Sequence, residues 1–253
     1  MKISRRSFSA MVASGAAAMA VGAPASASPA RNGNVVLVHG AYADGSCWAK
    51  VIPLLLHAGV AVTAVQHPLT SLAEGAAATR RALDLQTGPT VLMGHSFGGS
   101  VITEAGDHPN VSSLIYLSAR APEVGEDYGA LAAKFPTPPA NAGLVYNNGF
   151  GGLTERAFLN DFANGVPRSE ARVLYAAQGR LAQTLFGNRT TAAAWKAKPA
   201  RYLITTEDRT TSPELQRFVA ERMGAQISEA STGHLSFIVR PSLVARLILD
   251  ALP

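Results

Sequence analysis

Residues 91–100 read VLMGHSFGGS. A single serine, Ser96, closes an apolar run, with Gly94 before it and Gly98 and Gly99 after it. That pattern suits a sharp strand-to-helix turn that lifts a hydroxyl clear of a sheet, with glycines where side chains would collide. A serine hydroxyl is a weak nucleophile until a base takes its proton. His234, in STGHLSF, is the candidate base. Asp208, in TTEDRTT, is the candidate acid that would hold the imidazole tautomer and stabilise the ring once charged. A serine that attacks a carbonyl also needs donors for the developing oxyanion. The backbone N–H of Phe97, directly after the serine, is one. The N–H of Ala41 in VHGAYADGSCW is the other, and Gly40 before it leaves the substrate side open. Glu207 is a rival acid, but adjacent positions at a strand end point different ways, so only one should face the histidine. His95 is a rival base, but a neighbour in a tight elbow points away from the hydroxyl, and it reads as a packed, hydrogen-bonded histidine. His39 reads as structural, and Cys47, beside Trp48, as a packed thiol.

These residues need a frame. Short apolar runs at 34–40, 60–65, 90–94, 112–119, 201–206 and 225–230 read as strands, several of them stopping at glycine. Helical spacing fills 47–59, 71–85, the segment after Ser96, 212–224 and the C-terminus. Ser71 with Glu74 three residues later marks a capping box. Ser212, Pro213 and Gly224 mark the start and stop of another helix. Apolar strands alternating with helices predict a parallel sheet covered on both faces. Ser96, Asp208 and His234 each follow a strand, so all three fall at the carboxyl edge of the sheet, where open α/β sheets bind ligands. The rhythm breaks over 121–196, where FPTPPA, NNGFGG and NGVP separate short helical pieces. This segment reads as a helical cap inserted after the fourth strand. Tyr128, Phe150 and Trp195 within it, with Gly40, Phe97 and Leu235, are candidates for a substrate pocket.

Composition excludes several classes. The chain has 253 residues and one cysteine, which rules out an intrachain disulfide and a cysteine-rich zinc site. The histidines His57, His67 and His108 show no metal-ligand spacing, and no G-x-G-x-x-G occurs, so no metal and no nucleotide cofactor is expected. The first residues, MKISRRSFSA, place Lys2, Arg5 and Arg6 before an apolar run, and Ala25-Ser26-Ala27 offers a small-residue cleavage site. Residues 1–27 therefore read as an export signal of the twin-arginine type, handed to that export machinery, with 28–253 as the mature domain in a periplasm or outside the cell. Without that segment the formal charge falls from +5 to +2. The mature part carries no Lys/Arg stripe, so nucleic-acid binding is unsupported. No stable membrane span is expected in the mature form.

Together, VLVHGAYADGSCW, GHSFGG, TTEDRTTSPELQRF and GHLSF resemble the α/β-hydrolase superfamily, and more narrowly the branch of methyl-ester esterases of the salicylate type, plant hydroxynitrile lyases and their bacterial relatives. The likeness spans about residues 34–252. It implies a six-stranded, mostly parallel sheet with the second strand outside the first. It assigns Ser96 as nucleophile, His234 as base, Asp208 as acid, and Ala41 and Phe97 as oxyanion donors. Plant lyases of this branch carry threonine where this sequence has Gly40, and lysine where it has Leu235. The expectation is therefore a serine esterase acting on small to medium uncharged carboxylic esters. The alternatives are a lyase-like or a lactone- or amide-cleaving enzyme, and a non-catalytic binding protein.

Overall fold

The computed structural model describes residues 33–253; the export-signal reading of residues 1–27 lies outside them. β1 (Asn34–Val38), α1 (Ile52–His57), β2 (Ala61–Val65), α2 (Leu72–Asp84), β3 (Thr90–His95), α3 (Gly98–Ala105) and β4 (Val111–Leu117) alternate along the first half. An insertion follows, with α4 (Tyr128–Ala132), β5 (Leu144–Asn147), β6 (Phe150–Leu153), α5 (Glu155–Ala157), a π-helical turn at Phe158–Phe162, α6 (Arg168–Ala176) and β7 (Leu181–Ala182). The chain then returns through β8 (Ala200–Thr205), α7 (Pro213–Arg222), β9 (Gln226–Ala230), α8 (Ser236–Val239) and α9 (Pro241–Leu249).

Six strands pair in the order β2-β1-β3-β4-β8-β9, and every pairing is parallel. The central strands are buried along nearly their whole length because helices cover them, which is why they read as unbroken apolar runs. β2 and β9, at the two edges, are largely half-buried or exposed. α2 packs on α3, while α1 and α8 pack on α9, giving two separate helical groups. The expected caps are present. Ser71 Oγ accepts from the Glu74 N–H, and Ser212 Oγ from the Leu215 N–H. The Glu74 carboxylate differs from a capping box in accepting from the Thr70 and Ser71 hydroxyls.

The insertion contains helices, as expected, and also a feature the sequence reading missed: β5, β6 and β7 form a small antiparallel sheet. Asn148 and Gly149 have φ of +50° and +80°, the two left-handed residues of a tight hairpin turn. The expected helix over SEARVLYAAQGRLAQTLF stops at Ala176, and β7 and a 3-10 turn at Leu185–Gly187 take the remainder. The insertion is fastened to the sheet domain by Lys50–Glu170 at 2.7 Å and Arg209–Asp161 at 2.8 Å, and by Asn188 Oδ1 accepting from the Leu72 N–H. Among the described residues, no helix is long and apolar enough to cross a membrane, and no group of three or more metal-ligating side chains occurs.

Candidate active site

Ser96 stands where β3 turns into α3, half-buried, with φ of +54°. A non-glycine residue there costs about 1–2 kcal/mol, and the surroundings hold it. Its N–H donates to Leu117 O at 3.1 Å, and its carbonyl accepts from the N–H groups of Gly99 and Arg120, each at 3.0 Å. The exit of β4 is held in turn by Tyr202, whose hydroxyl donates to Ala119 O at 2.6 Å and accepts from Ala119 N–H at 2.9 Å. The glycines make room for the turn. A Cβ on Gly94 would stand 2.5 Å from Gly98 O, and one on Gly98 2.6 Å from Val38 O. On Gly40 it would stand 2.7 Å from Ser96 Cβ.

His234 and Asp208 meet from the ends of β9 and β8. Asp208 Oδ2 accepts from His234 Nδ1 at 2.7 Å, and both side chains are fully buried. Asp208 is itself held by four further donors. Thr205 Oγ1 and Gln216 Nε2 each reach Oδ2 at 2.9 Å, and the N–H groups of Thr210 and Thr211 reach Oδ1 at 2.8 and 2.9 Å. With Nδ1 so engaged, Nε2 of His234 is the atom left for proton traffic; it is buried and has no partner. Glu207, the rival acid, is exposed.

The histidine reaches the elbow through His95. The two rings lie 4.5 Å apart, and His95 Nε2 donates to the His234 carbonyl at 3.1 Å. Full burial, followed by the neighbouring His234, holds the His95 pKa well below the usual histidine range, so this ring is a neutral donor. His39 stacks on His67 at 3.9 Å and contacts Gly40 O through Nδ1, while His67 Nε2 donates to His39 O at 3.0 Å. Burial and the adjacent ring lower His39 to about 4, and burial lowers His67. This stack braces the Gly40–Ala41 loop. Ala41 and Phe97 are buried, and neither backbone N–H donates to an acceptor among the described residues.

The candidate pocket residues separate. Gly40 touches the elbow, and Leu235 lines an apolar cavity with Tyr42, Cys47, Phe158, Phe162 and Ile238. The insertion thus reaches the site itself; the Phe162 ring lies 5.4 Å from that of His234. The Cys47 thiol is buried, and burial pushes its pKa up. Phe97 packs against Phe186. The other three lie elsewhere. Phe150 is 46% exposed because it begins its strand beside the Asn148–Gly149 turn, while the rest of that strand is buried. Trp195 is buried where its Nε1 donates to Pro122 O. Tyr128 lies under the Arg120 guanidinium. Sequence reasoning missed Gln216, Thr205, His67, Phe162 and Arg120. Gln216 had a signal, since it shares the inward face of its helix with Leu215, Val219 and Ala220.

A family model described as "Alpha/beta hydrolase family" matches residues 35–247. A carbendazim hydrolyzing esterase from Nocardioides sp. (strain SG-4G) is 33% identical over 128 residues, covering 44% of this chain and 52%, about half, of that protein. Methylesterase 2 of Arabidopsis thaliana is 26% identical over 256 residues, covering 87% of this chain and 95% of that protein. The solved structure of polyneuridine aldehyde esterase superposes with a TM-score of 0.76 at 19% identity, over 87% of this chain and 98% of that one. With the family model matching most of its length and the sheet, elbow and strand order in place, the chain belongs to the alpha/beta hydrolase family.

Proposed function

We propose that the chain is a carboxylic-ester hydrolase that works through an acyl-enzyme formed on Ser96. The observation that carries this reading is the buried 2.7 Å bond between His234 and Asp208, which leaves His234 Nε2 unpartnered in the loop cluster that holds Ser96. His234 takes the Ser96 proton as Oγ attacks the ester carbonyl. The oxyanion is met by the free N–H groups of Ala41 and Phe97. His234 then gives its proton to the departing alkoxide, and the same histidine activates the water that releases the acid. Asp208, bonded to Nδ1, stabilises the charged ring. The relatives' names, esterase and methylesterase, support the reaction class.

The cleft lined by Leu235, Phe158 and Phe162 is mainly apolar, with Asp44 and Ser46 as its polar members, which favours an ester whose buried part is uncharged. Residues 121–196 act as the cap over it. Leu235 follows His234 directly, so no cation stands there to assist a departing cyanide, and ester cleavage is favoured over lyase chemistry. Residues 1–27, with Arg5 and Arg6 before an apolar run, support export through a twin-arginine route.

Initial rates on short-chain and aryl esters, with Ser96→Ala alongside, test the reading. The variant should lose at least about a thousandfold in kcat. A folded Ser96→Ala chain that keeps its turnover would overturn it.

A further inference from the structure

Arg120 follows β4 at the carboxyl edge of the sheet, and its N–H donates to the Ser96 carbonyl. Its guanidinium lies 4.3 Å from the Tyr128 ring, 5.6 Å from Phe186 and 6.0 Å from Phe97. Two of these rings belong to the reacting side of the molecule. Phe97 follows the serine, and the Phe186 ring lies 6.3 Å from that of Tyr42, next to Ala41.

A guanidinium has five N–H donors. Here Nη2 makes one long contact, 3.4 Å, to Phe186 O, and Nε is buried without an acceptor. Ring faces attract the charge but do not replace a carboxylate. The nearby acids are committed elsewhere. Glu126 is paired with Arg222 at 2.7 and 3.0 Å. Asp127 is paired with Arg189 at 3.2 Å and caps α4 through the Ala130 N–H. Among the described residues, no ion pair includes Arg120. A largely desolvated cation without a counter-charge is costly. The residue is partly exposed, and of its unpartnered nitrogens only Nε is fully buried, so a ligand can approach through Nη1. A clamp between aromatic rings would explain the stacking but leaves the unused donors unexplained.

We propose that Arg120 forms a carboxylate-binding subsite, and that the protein takes esters carrying a second, ionised carboxyl group, held by the guanidinium while the ester carbonyl meets Ser96. This rests on the ester-hydrolase reading and names the substrate class for it.

The test compares each half-methyl ester of the C4 to C6 dicarboxylic acids with its dimethyl ester. A second arm compares acetylated hydroxy acids with their methyl esters, moving the carboxylate to the alcohol side. The readout is the ratio of kcat/KM, anionic to neutral, in the purified protein, Arg120→Gln and Arg120→Lys. In at least one arm the ratio should fall roughly tenfold to a hundredfold in Arg120→Gln, chiefly through KM, with Arg120→Lys between. Added salt should lower the ratio in the unaltered protein, which keeps the test open if a variant does not fold. Ratios that ignore both salt and residue 120 would overturn the proposal while leaving ester hydrolysis standing. Should no ester turn over, the ester reading falls separately, and calorimetry with glutarate decides the subsite. Binding lost in Arg120→Gln supports it, and absence of binding to the unaltered protein refutes it.

Discussion

Adding one methyl group at Gly40 tests how Ser96 is placed for the proposed attack. In Gly40→Ala the new Cβ would lie 2.7 Å from Ser96 Cβ, 3.0 Å from His95 O and 3.2 Å from His95 Nδ1. Carbon atoms pack best at about 3.5–4.0 Å, so the serine must retreat by about 0.8 Å or the Gly40 loop must. None of the three neighbours is the end of a flexible chain. The His95 ring is held by its bond to His234 O, and Ser96 by backbone bonds to Leu117, Gly99 and Arg120. A displacement near 1 Å at a reacting atom costs about a hundredfold in rate, and overpacking of this kind destabilises by about 1–3 kcal/mol. Gly40→Ala should therefore lose about a hundredfold in kcat while urea unfolding shows a folded chain. Gly187→Ala, where a Cβ meets nothing within 4 Å, serves as control and should keep its rate. A Gly40→Ala protein with unaltered kcat would refute the claim that this contact sets the serine position. Threonine is larger, so a threonine at 40 requires a differently seated elbow.

Two further outcomes follow from the same contacts. Gln216→Leu removes one of the donors to Asp208 and the acceptor of the buried Thr205 N–H at 3.0 Å; it should cost about 2–5 kcal/mol of stability and lower kcat about tenfold or more, and unchanged kcat in a folded variant would remove Gln216 from the account. Acid should weaken the fold early. His39, lowered to about 4, and His67 and His95, also lowered, bind fewer protons folded than unfolded, so their stability is present above about pH 6.5 and is lost as pH falls towards their folded pKa. For His39 the loss is about 1 kcal/mol between pH 6.5 and 5.5 and about 3 kcal/mol by pH 4, and His67 and His95 add to it in the same direction. Urea midpoints that stay flat from pH 6.5 to 5.5 would contradict this.

The main sheet was legible because its central strands are covered by helices. Burial makes each an apolar run, and NVVLV and TVLMG need no tertiary knowledge. The elbow was legible because tight geometry selects glycine, and the Cβ distances at Gly94 and Gly98 give the reason. The hairpin at 144–153 was missed for the opposite reason. Its strands are four residues long; β5 is largely exposed, and β6 is mostly buried but carries Gly151 and Gly152, so neither alternation nor an apolar run marks them. Asn148–Gly149 is the remaining signal, a hairpin dipeptide set among loop-forming neighbours. Aromatic type alone also misplaced Phe150 and Trp195. An aromatic side chain in an insertion can lie on the surface or in a local core as readily as over a site, and only the path of the chain decides.

Four histidines converge near the elbow, and residue type cannot say which one is the base. Partners can. His39 and His67 each spend a ring nitrogen on backbone carbonyls, and desolvation keeps them neutral. His95 spends its Nε2 on the His234 carbonyl, and burial likewise holds it neutral. His234 alone has a carboxylate on one nitrogen and nothing on the other. A general base must be able to become a cation at the moment of transfer, and that requires a fixed counter-charge. On the proposed ester-hydrolase reading, burial without a carboxylate disqualifies three of the rings by the same physics that fits the fourth. Adjacency along the chain, which favours His95, carries no weight against it.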